Sequence, residues 1–112
     1  MIKKFERVSD YFLELNNCGV QLLTQVDATR HREDGRADYH ILYISQGACY
    51  IFENGVETKI GEGNIILFKP FEEQYYRFCK EDKTVSCYIH FSGIMSEQIL
   101  DILDIHILWI FH

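Results

Sequence analysis

Two histidines, His40 and His90, carry the side chains in this chain best suited to chemistry near neutral pH. An imidazole can transfer a proton or bind a metal there, because its unperturbed pKa is about 6.5. His90 lies in a run of β-branched and aromatic residues, where a strand's period of two places Ser86, Tyr88 and His90 on one face. This face is polar enough to line a small-molecule pocket. The intervening residues suit a packed layer: Val85, Cys87, Ile89 and Phe91.

The cysteines show no spacing typical of a zinc site or a disulfide framework. They are Cys18, Cys49, Cys79 and Cys87, and they include no C-x-x-C pair. We expect free thiols, buried or half-buried. A catalytic cysteine would need a base beside it, and nearness to either histidine in space cannot be read from sequence.

Composition favours one β-rich domain that does not itself bind nucleic acid. The chain has 112 residues, of which 47% are apolar and 14% aromatic, with a single proline. Its net charge of −6 is the opposite of the basic surface that phosphates require. No basic region leads into an apolar signal core, and no apolar run approaches the roughly 18 residues of a membrane span. We therefore expect a cytoplasmic protein.

Short runs of β-branched and aromatic residues, separated by turns about every ten positions, predict an antiparallel sandwich or barrel. The predicted strands are 37–45, 48–53, 56–60, 65–69, 75–80 and 84–91. Asn54 and Gly55 suit a type I′ hairpin turn, because both tolerate positive φ. Pro70 should end its strand, since it cannot donate to a ladder. We expect the last two strands to pair with each other.

The N-terminal region is less regular. The structure of residues 1–17 is left open, whereas 18–26 is expected to be extended. Residues 27–35 predict a polar loop, and the arginines in and beside it, Arg30, Arg32 and Arg36, are most simply solvated.

The C-terminal region changes pattern after the last strand. Ser96 can cap a short helix over 96–104, whose apolar residues share one face. Residues 105–112 are almost wholly apolar, so we expect the chain to be a fragment of a longer protein.

The order of these features resembles the N-terminal cupin domain of AraC-type transcription regulators. The resemblance covers roughly residues 20–103 and is most specific in Asp38-Tyr39-His40-Ile41-Leu42-Tyr43 and in Tyr88-Ile89-His90-Phe91-Ser92-Gly93. It implies a mainly-β, cupin-like jelly-roll barrel (an antiparallel double-stranded β-helix) at about 18–93, followed by the short helix, in a single domain spanning 1–112. In that family a C-terminal pair of helix-turn-helix units binds DNA. This chain contains no such segment, so DNA would be bound only through a part missing from it.

The metal-binding positions of cupins are largely replaced here. Cupin metals are held by three histidines and a glutamate. With Gly47 as the anchor, the glutamate position holds His40, the first histidine pair falls within 33–36, and the last histidine falls at Gln74 or Tyr75. The same alignment predicts that His40, Leu42 and Ile44, which share one face of their strand, point into the barrel. We expect no metal, no cofactor and no enzyme activity.

The resemblance also implies where a ligand is bound. Sugar-sensing AraC-type domains use an arginine before the first core strand, an aromatic residue after the proline loop, and the last strand, which match Arg32, Tyr76, Ser86 and Tyr88. An arginine offers a fork of donors, and a tyrosine ring offers a face for a sugar. The predicted ligand-binding set is Arg32, His40, Tyr76, Ser86, Tyr88 and His90.

These features predict the effector-sensing domain of an AraC-family regulator, which binds a sugar or related metabolite in a metal-free barrel. Two alternatives stay open. One is a stand-alone cupin isomerase or epimerase that uses His40 or His90 for proton transfer. The other is a purely structural dimerisation module with a filled barrel. The identity of the effector and the formation of a homodimer are also left open.

Overall fold

Two four-stranded antiparallel sheets face each other in the computed structural model, which describes residues 13–103. The strands are β1 (Glu14–Leu23), β2 (Ala28–Arg32), β3 (Tyr39–Gln46), β4 (Ala48–Glu53), β5 (Val56–Gly61), β6 (Ile65–Phe68), β7 (Gln74–Phe78) and β8 (Thr84–Ser92). A 3-10 helix (Lys80–Asp82) joins β7 to β8, and helix α1 (Ser96–Leu103) follows β8. The mainly-β, cupin-like fold with a short helix is confirmed. The expectations for residues 1–12 and 104–112 lie outside the described residues.

The strand order is that of a jelly roll, because all neighbouring strands except β4 and β5 are non-consecutive in sequence. One sheet runs β1-β8-β3-β6 and the other β2-β7-β4-β5. The predicted pairing of the last two strands is wrong, since β7 pairs with β2 and β4 while β8 pairs with β1 and β3. The 3-10 helix, closed by Lys83 at φ 49°, carries the chain from one sheet to the other.

The turn predictions agree with the structure. Glu53 pairs with Val56 across Asn54 and Gly55, whose φ angles are 53° and 78°. Both are positive, as a type I′ turn requires. Strand β6 ends two residues before Pro70.

The main core lies between the inner faces of the two sheets. Leu42 and Ile44 point into it at 1% and 0% exposure, which confirms the predicted inner face of β3. They pack with Ile66, Phe78 and further apolar side chains. Burial of this size supplies about 1.5–3 kcal/mol per large side chain, which is the dominant favourable term in folding.

A second cluster lies on the outer face, where Leu100 of α1 covers Leu67 and Phe91. Tyr39 holds the helix in place, because its hydroxyl donates a 2.7 Å hydrogen bond to Glu97. The expected packed layer on β8 is therefore only partly right. Phe91 is buried beneath the helix, but Ile89 is 41% exposed.

The predicted loop at 27–35 is wrong over its first half. Residues Ala28–Arg32 form strand β2, which pairs with β7 so that Arg30 lies opposite Tyr76 and Arg32 opposite Gln74. Hydrophobic periodicity does not predict this strand, because both of its faces are polar after Ala28. Its backbone hydrogen bonds with β7 and its position over the barrel interior, not apolar alternation, stabilise it.

All four cysteines are free thiols. Cys49 is buried, and burial raises the pKa of its thiol well above the usual range. Cys18 departs from the expectation, since it is exposed on the outer face of edge strand β1, opposite Ile89. Across residues 13–103, no helix is long and apolar enough to cross a membrane.

Candidate functional site

A cavity of about 250 Å³ opens between the two sheets, above the apolar core. It is smaller than the roughly 300–1,000 Å³ pockets of drug-sized ligands, and it suits a metabolite of monosaccharide size. The described residues that line it are Asn17, Gln21, Arg30, Arg32, Arg36, His40, Tyr76, Tyr88 and His90. Five of the six predicted ligand-binding residues thus come together here.

Ser86 is the predicted residue that lies apart from this set. Its side chain is fully buried deeper in the barrel, at 0% exposure. Its hydroxyl donates a long hydrogen bond of 3.4 Å to Oε1 of Gln21, which does line the cavity. The position of Ser86 suits support of Gln21 better than direct contact with a ligand.

His40 forms the floor of the cavity from β3. Its Nδ1 donates to Oε1 of Gln74 at 3.0 Å, because an amide oxygen can only accept, and this leaves Nε2 as an acceptor. Burial lowers the pKa of His40 to about 4, against the opposing effect of the Gln74 bond. His40 is therefore a neutral imidazole near pH 7.

His90 stands beside His40 on the neighbouring strand β8. The two rings meet edge to face with centroids 4.5 Å apart, and the ring of Tyr88 lies 5.2 Å from His90. Burial, followed by the positive charge of Arg36, lowers the pKa of His90. Among residues 13–103 its buried Nδ1 has no hydrogen-bond partner.

Tyr76 and Tyr88 supply the aromatic surfaces of the cavity. Tyr76 is 7% exposed and stacks on Phe68, and burial raises the pKa of its phenol to about 12, so that it stays a protonated donor. Tyr88 lies across Gly19 of β1, its register partner. A Cβ at Gly19 would come within 2.8 Å of the Tyr88 hydroxyl oxygen, so the glycine makes room for this ring.

The arginines around the cavity differ in their charge partners. Arg36 is paired with Asp38, whose Oδ1 accepts from Nε at 2.7 Å. Burial would raise the pKa of Asp38, but hydrogen bonds from Arg36 and Asn16 outweigh it and hold that pKa below its usual value. Within residues 13–103 neither Arg30 nor Arg32 forms an ion pair.

A wider, open groove adjoins the cavity along the rim of the barrel. It includes Tyr39, Phe71 and Ile94, and Arg32 and Arg36 line both depressions. These two arginines therefore stand where the cavity meets solvent, on the path by which a small molecule would enter.

Sequence reasoning missed part of this lining. The sequence pattern favours solvent-exposed positions for Arg30 and Arg36 and gives no signal for Asn17 and Gln21 of β1, yet all four line the cavity. The alternation of Arg30 and Arg32 with Thr29 and His31 was the available signal for a strand with one cationic face.

The residues at the cupin metal positions do not fit a metal ion. His40 meets the amide of Gln74 where a metal-binding cupin has a histidine, so the counting that placed the last ligand position at Gln74 agrees with the structure. Across the described part of the chain, no three histidine, cysteine or acidic side chains cluster closely enough to hold a metal. The described side chains here supply two imidazoles, His40 and His90, and one amide, which falls short of the three histidines and a glutamate of a cupin metal site.

Comparison with known proteins identifies a family. A solved structure of the plu4264 protein from Photorhabdus luminescens is similar, with 16% identity and a TM-score of 0.45 over 71% of this chain and 64% of that one. The chain thus spans less than two thirds of that protein's length. No match was found among curated protein sequences. The family described as the AraC-like ligand binding domain matches residues 21–106, which is more than half of the chain. The chain therefore belongs to the AraC-like ligand-binding domain family.

Proposed function

We propose that this domain senses a small-molecule effector, a sugar or related metabolite, for an AraC-type transcription regulator in the cytoplasm. The observation that carries the proposal is the cavity itself, since it gathers Arg32, His40, Tyr76, Tyr88 and His90 in a member of a ligand-binding family. Concave sites with aromatic walls and a few convergent polar groups are the usual form of small-molecule sites.

The effector would act by stabilising one arrangement of the whole regulator. A ligand shifts such an equilibrium only by its difference in affinity between the two states. We propose that the response is DNA binding by helix-turn-helix units outside residues 1–112. A homodimer, which the family resemblance suggests, is part of this proposal, and sedimentation of the chain with and without effector would test it.

We also propose that the barrel works without metal and without catalysis. In support, Gln74 occupies a metal-ligand position, and His40 is neutral with a pKa of about 4. Such an imidazole is a weak general base at pH 7, because a good one has a pKa near the working pH. The isomerase or epimerase alternative instead requires turnover of the bound compound, which product analysis by NMR detects.

A thermal-shift screen of sugars and related metabolites tests the sensor proposal. A ligand that binds only the folded state raises its stability, by about 2.7 kcal/mol at a concentration a hundredfold above Kd. We expect at least one compound to raise the melting temperature of the chain. No shift from any compound would contradict the proposal and favour a filled, purely structural barrel.

Two tyrosine variants locate the binding. Tyr88→Ala removes a wall of the cavity, and we expect it to weaken binding of the compound by about tenfold or more. Tyr43→Ala is the matched control, since Tyr43 is 39% exposed on the outward-facing side of β3. Equal affinities for the two variants would place the ligand outside the cavity.

A further inference from the structure

Strand β2 brings two arginines, Arg30 and Arg32, to the lining of the cavity. Arg30 and Arg32 are two residues apart on one strand, and both line the cavity. Because a strand rises about 3.3 Å per residue, their Cβ atoms lie roughly 7 Å apart on the same face. Two donor forks at this spacing can reach one small group from neighbouring directions.

Among the residues that the structure describes, these two charges have no acidic partner. Within residues 13–103 neither arginine forms an ion pair, whereas Arg36 is neutralised by Asp38. None of the described residues lining the cavity carries a carboxylate. The chain as a whole has a charge of −6, so the cavity is a cationic site in an acidic protein. A cleft lined by one sign of charge concentrates ligands of the opposite sign.

The remaining polar side chains are mainly tyrosines, histidines and amides, which offer both hydrogen-bond donors and acceptors. Tyr76 stays protonated, since burial raises its pKa to about 12, and His40 is neutral because burial lowers its pKa to about 4. Burial also lowers the pKa of His90. Asn17 and Gln21 add amide donors at the far wall. The guanidinium groups of Arg30 and Arg32 only donate, so they match ionised oxygens, which only accept.

We propose that the effector carries an oxyanion, a carboxylate or a phosphate, which Arg30 and Arg32 bind where β2 lines the cavity. The inference rests on the proposed function, because it names the chemical class of the molecule held in the same site. Guanidinium groups bind carboxylate and phosphate through paired, charge-assisted hydrogen bonds, which are stronger than those to a neutral hydroxyl. The uncharged part of the ligand then lies against Tyr76 and Tyr88.

Calorimetric titration with matched ligands measures how much the charge of the ligand contributes to its affinity. The probes are glucose, galactose and mannose, the uronic acid of each and the 6-phosphate of each, all at one ionic strength. We expect a charged member of at least one series to bind about tenfold or more tightly than its neutral sugar. Preference for the uronate assigns a carboxylate, and preference for the 6-phosphate assigns a phosphate.

Arginine variants test the named contacts. Arg30→Gln and Arg32→Gln should each lower the affinity for the charged ligand by about tenfold. The affinity for the neutral sugar should stay within about twofold of wild type. Arg32→Lys keeps the charge but loses the fork, and its affinity should fall between wild type and Arg32→Gln. Arg77→Gln is the matched control, because Arg77 pairs with Glu57. It removes the same charge elsewhere and should bind the charged ligand like wild type.

The outcomes distinguish this inference from the sensor proposal. If a neutral sugar binds as tightly as its charged relatives, or if the Arg30 and Arg32 variants bind the anion like Arg77→Gln, the inference is wrong and the sensor proposal stands. If the metabolite screen yields an effector outside the panel, an anionic effector whose binding is weakened in the Arg30 and Arg32 variants supports the inference. An effector that is neutral at pH 7, or one that these variants bind like wild type, contradicts it. If no compound in either set binds, the sensor proposal fails and this inference fails with it.

Discussion

The neutral imidazole of His40 predicts a specific dependence of stability on pH. Burial lowers its pKa from 6.5 to about 4 in the folded chain. Between these values the unfolded chain binds a proton that the folded chain does not. The free energy of unfolding therefore rises with pH across this window, and the contribution of His40 is lost as the pH falls through it. The interval of about 2.5 pH units corresponds to about 3 kcal/mol of unfolding free energy.

Replacement of His40 by glutamine removes this contribution. Urea unfolding of wild type and His40→Gln, at intervals from pH 7.5 to 4.5, gives the two stability profiles. From pH 6.5 to 4.5 we expect wild type to lose about 2–3 kcal/mol more than the variant. Glutamine keeps a polar group beside Gln74, so the variant should fold. Comparison with His31→Gln separates the effect of burial from that of losing any histidine.

Parallel profiles for wild type and His40→Gln would refute the reasoning. They would mean that His40 takes up its proton equally in the folded and unfolded chains. The description of a neutral His40 bonded to Gln74 would then be wrong, and the case against a general base in this cavity would lose its support.

Substitutions at three glycines give further predictions. Gly47 has φ 83°, and a Cβ there would lie 2.6 Å from the backbone oxygen of Asp82, so Gly47→Ala should destabilise the fold by at least about 2 kcal/mol in urea unfolding. Gly61→Ala, where nothing lies within 4 Å, should change stability by under about 1 kcal/mol, and equal losses would contradict the clash. Gly19→Ala should push the Tyr88 ring away by at least about 0.6 Å, from 2.8 Å to an ordinary 3.4 Å contact. We therefore expect weaker effector binding with little change in stability, and unchanged affinity would show that the position of Tyr88 does not matter.

The strands with an apolar face could be predicted from the sequence, and so could the floor of the cavity. The alternation of β3 turns His40, Leu42 and Ile44 inward, and the cupin spacing brought His40 next to Gln74. Both signals can be read from a single sequence, because one is a local alternation and the other is a count of residues between turns.

Two features could not be predicted, for physical reasons. Strand β2 is polar on both faces after Ala28, and one of these faces lines the cavity, so hydrophobic periodicity could not distinguish it from a loop. The segment between β7 and β8 is short and polar like a hairpin loop, yet its 3-10 helix changes sheets. Pairing between strands depends on the packing of both sheets, which no local pattern records.

Histidine-selective NMR tests the central claim, that a small molecule binds inside this barrel, most directly. The compound with the largest thermal shift is titrated into the chain while the imidazole resonances are followed. His40 and His90 line the cavity, whereas His31 stacks on Tyr75 outside it with centroids 3.8 Å apart. We predict saturable shifts at His40 and His90 with His31 nearly unchanged. Shifts at His31 alone, or at none of the three histidines, would contradict the account.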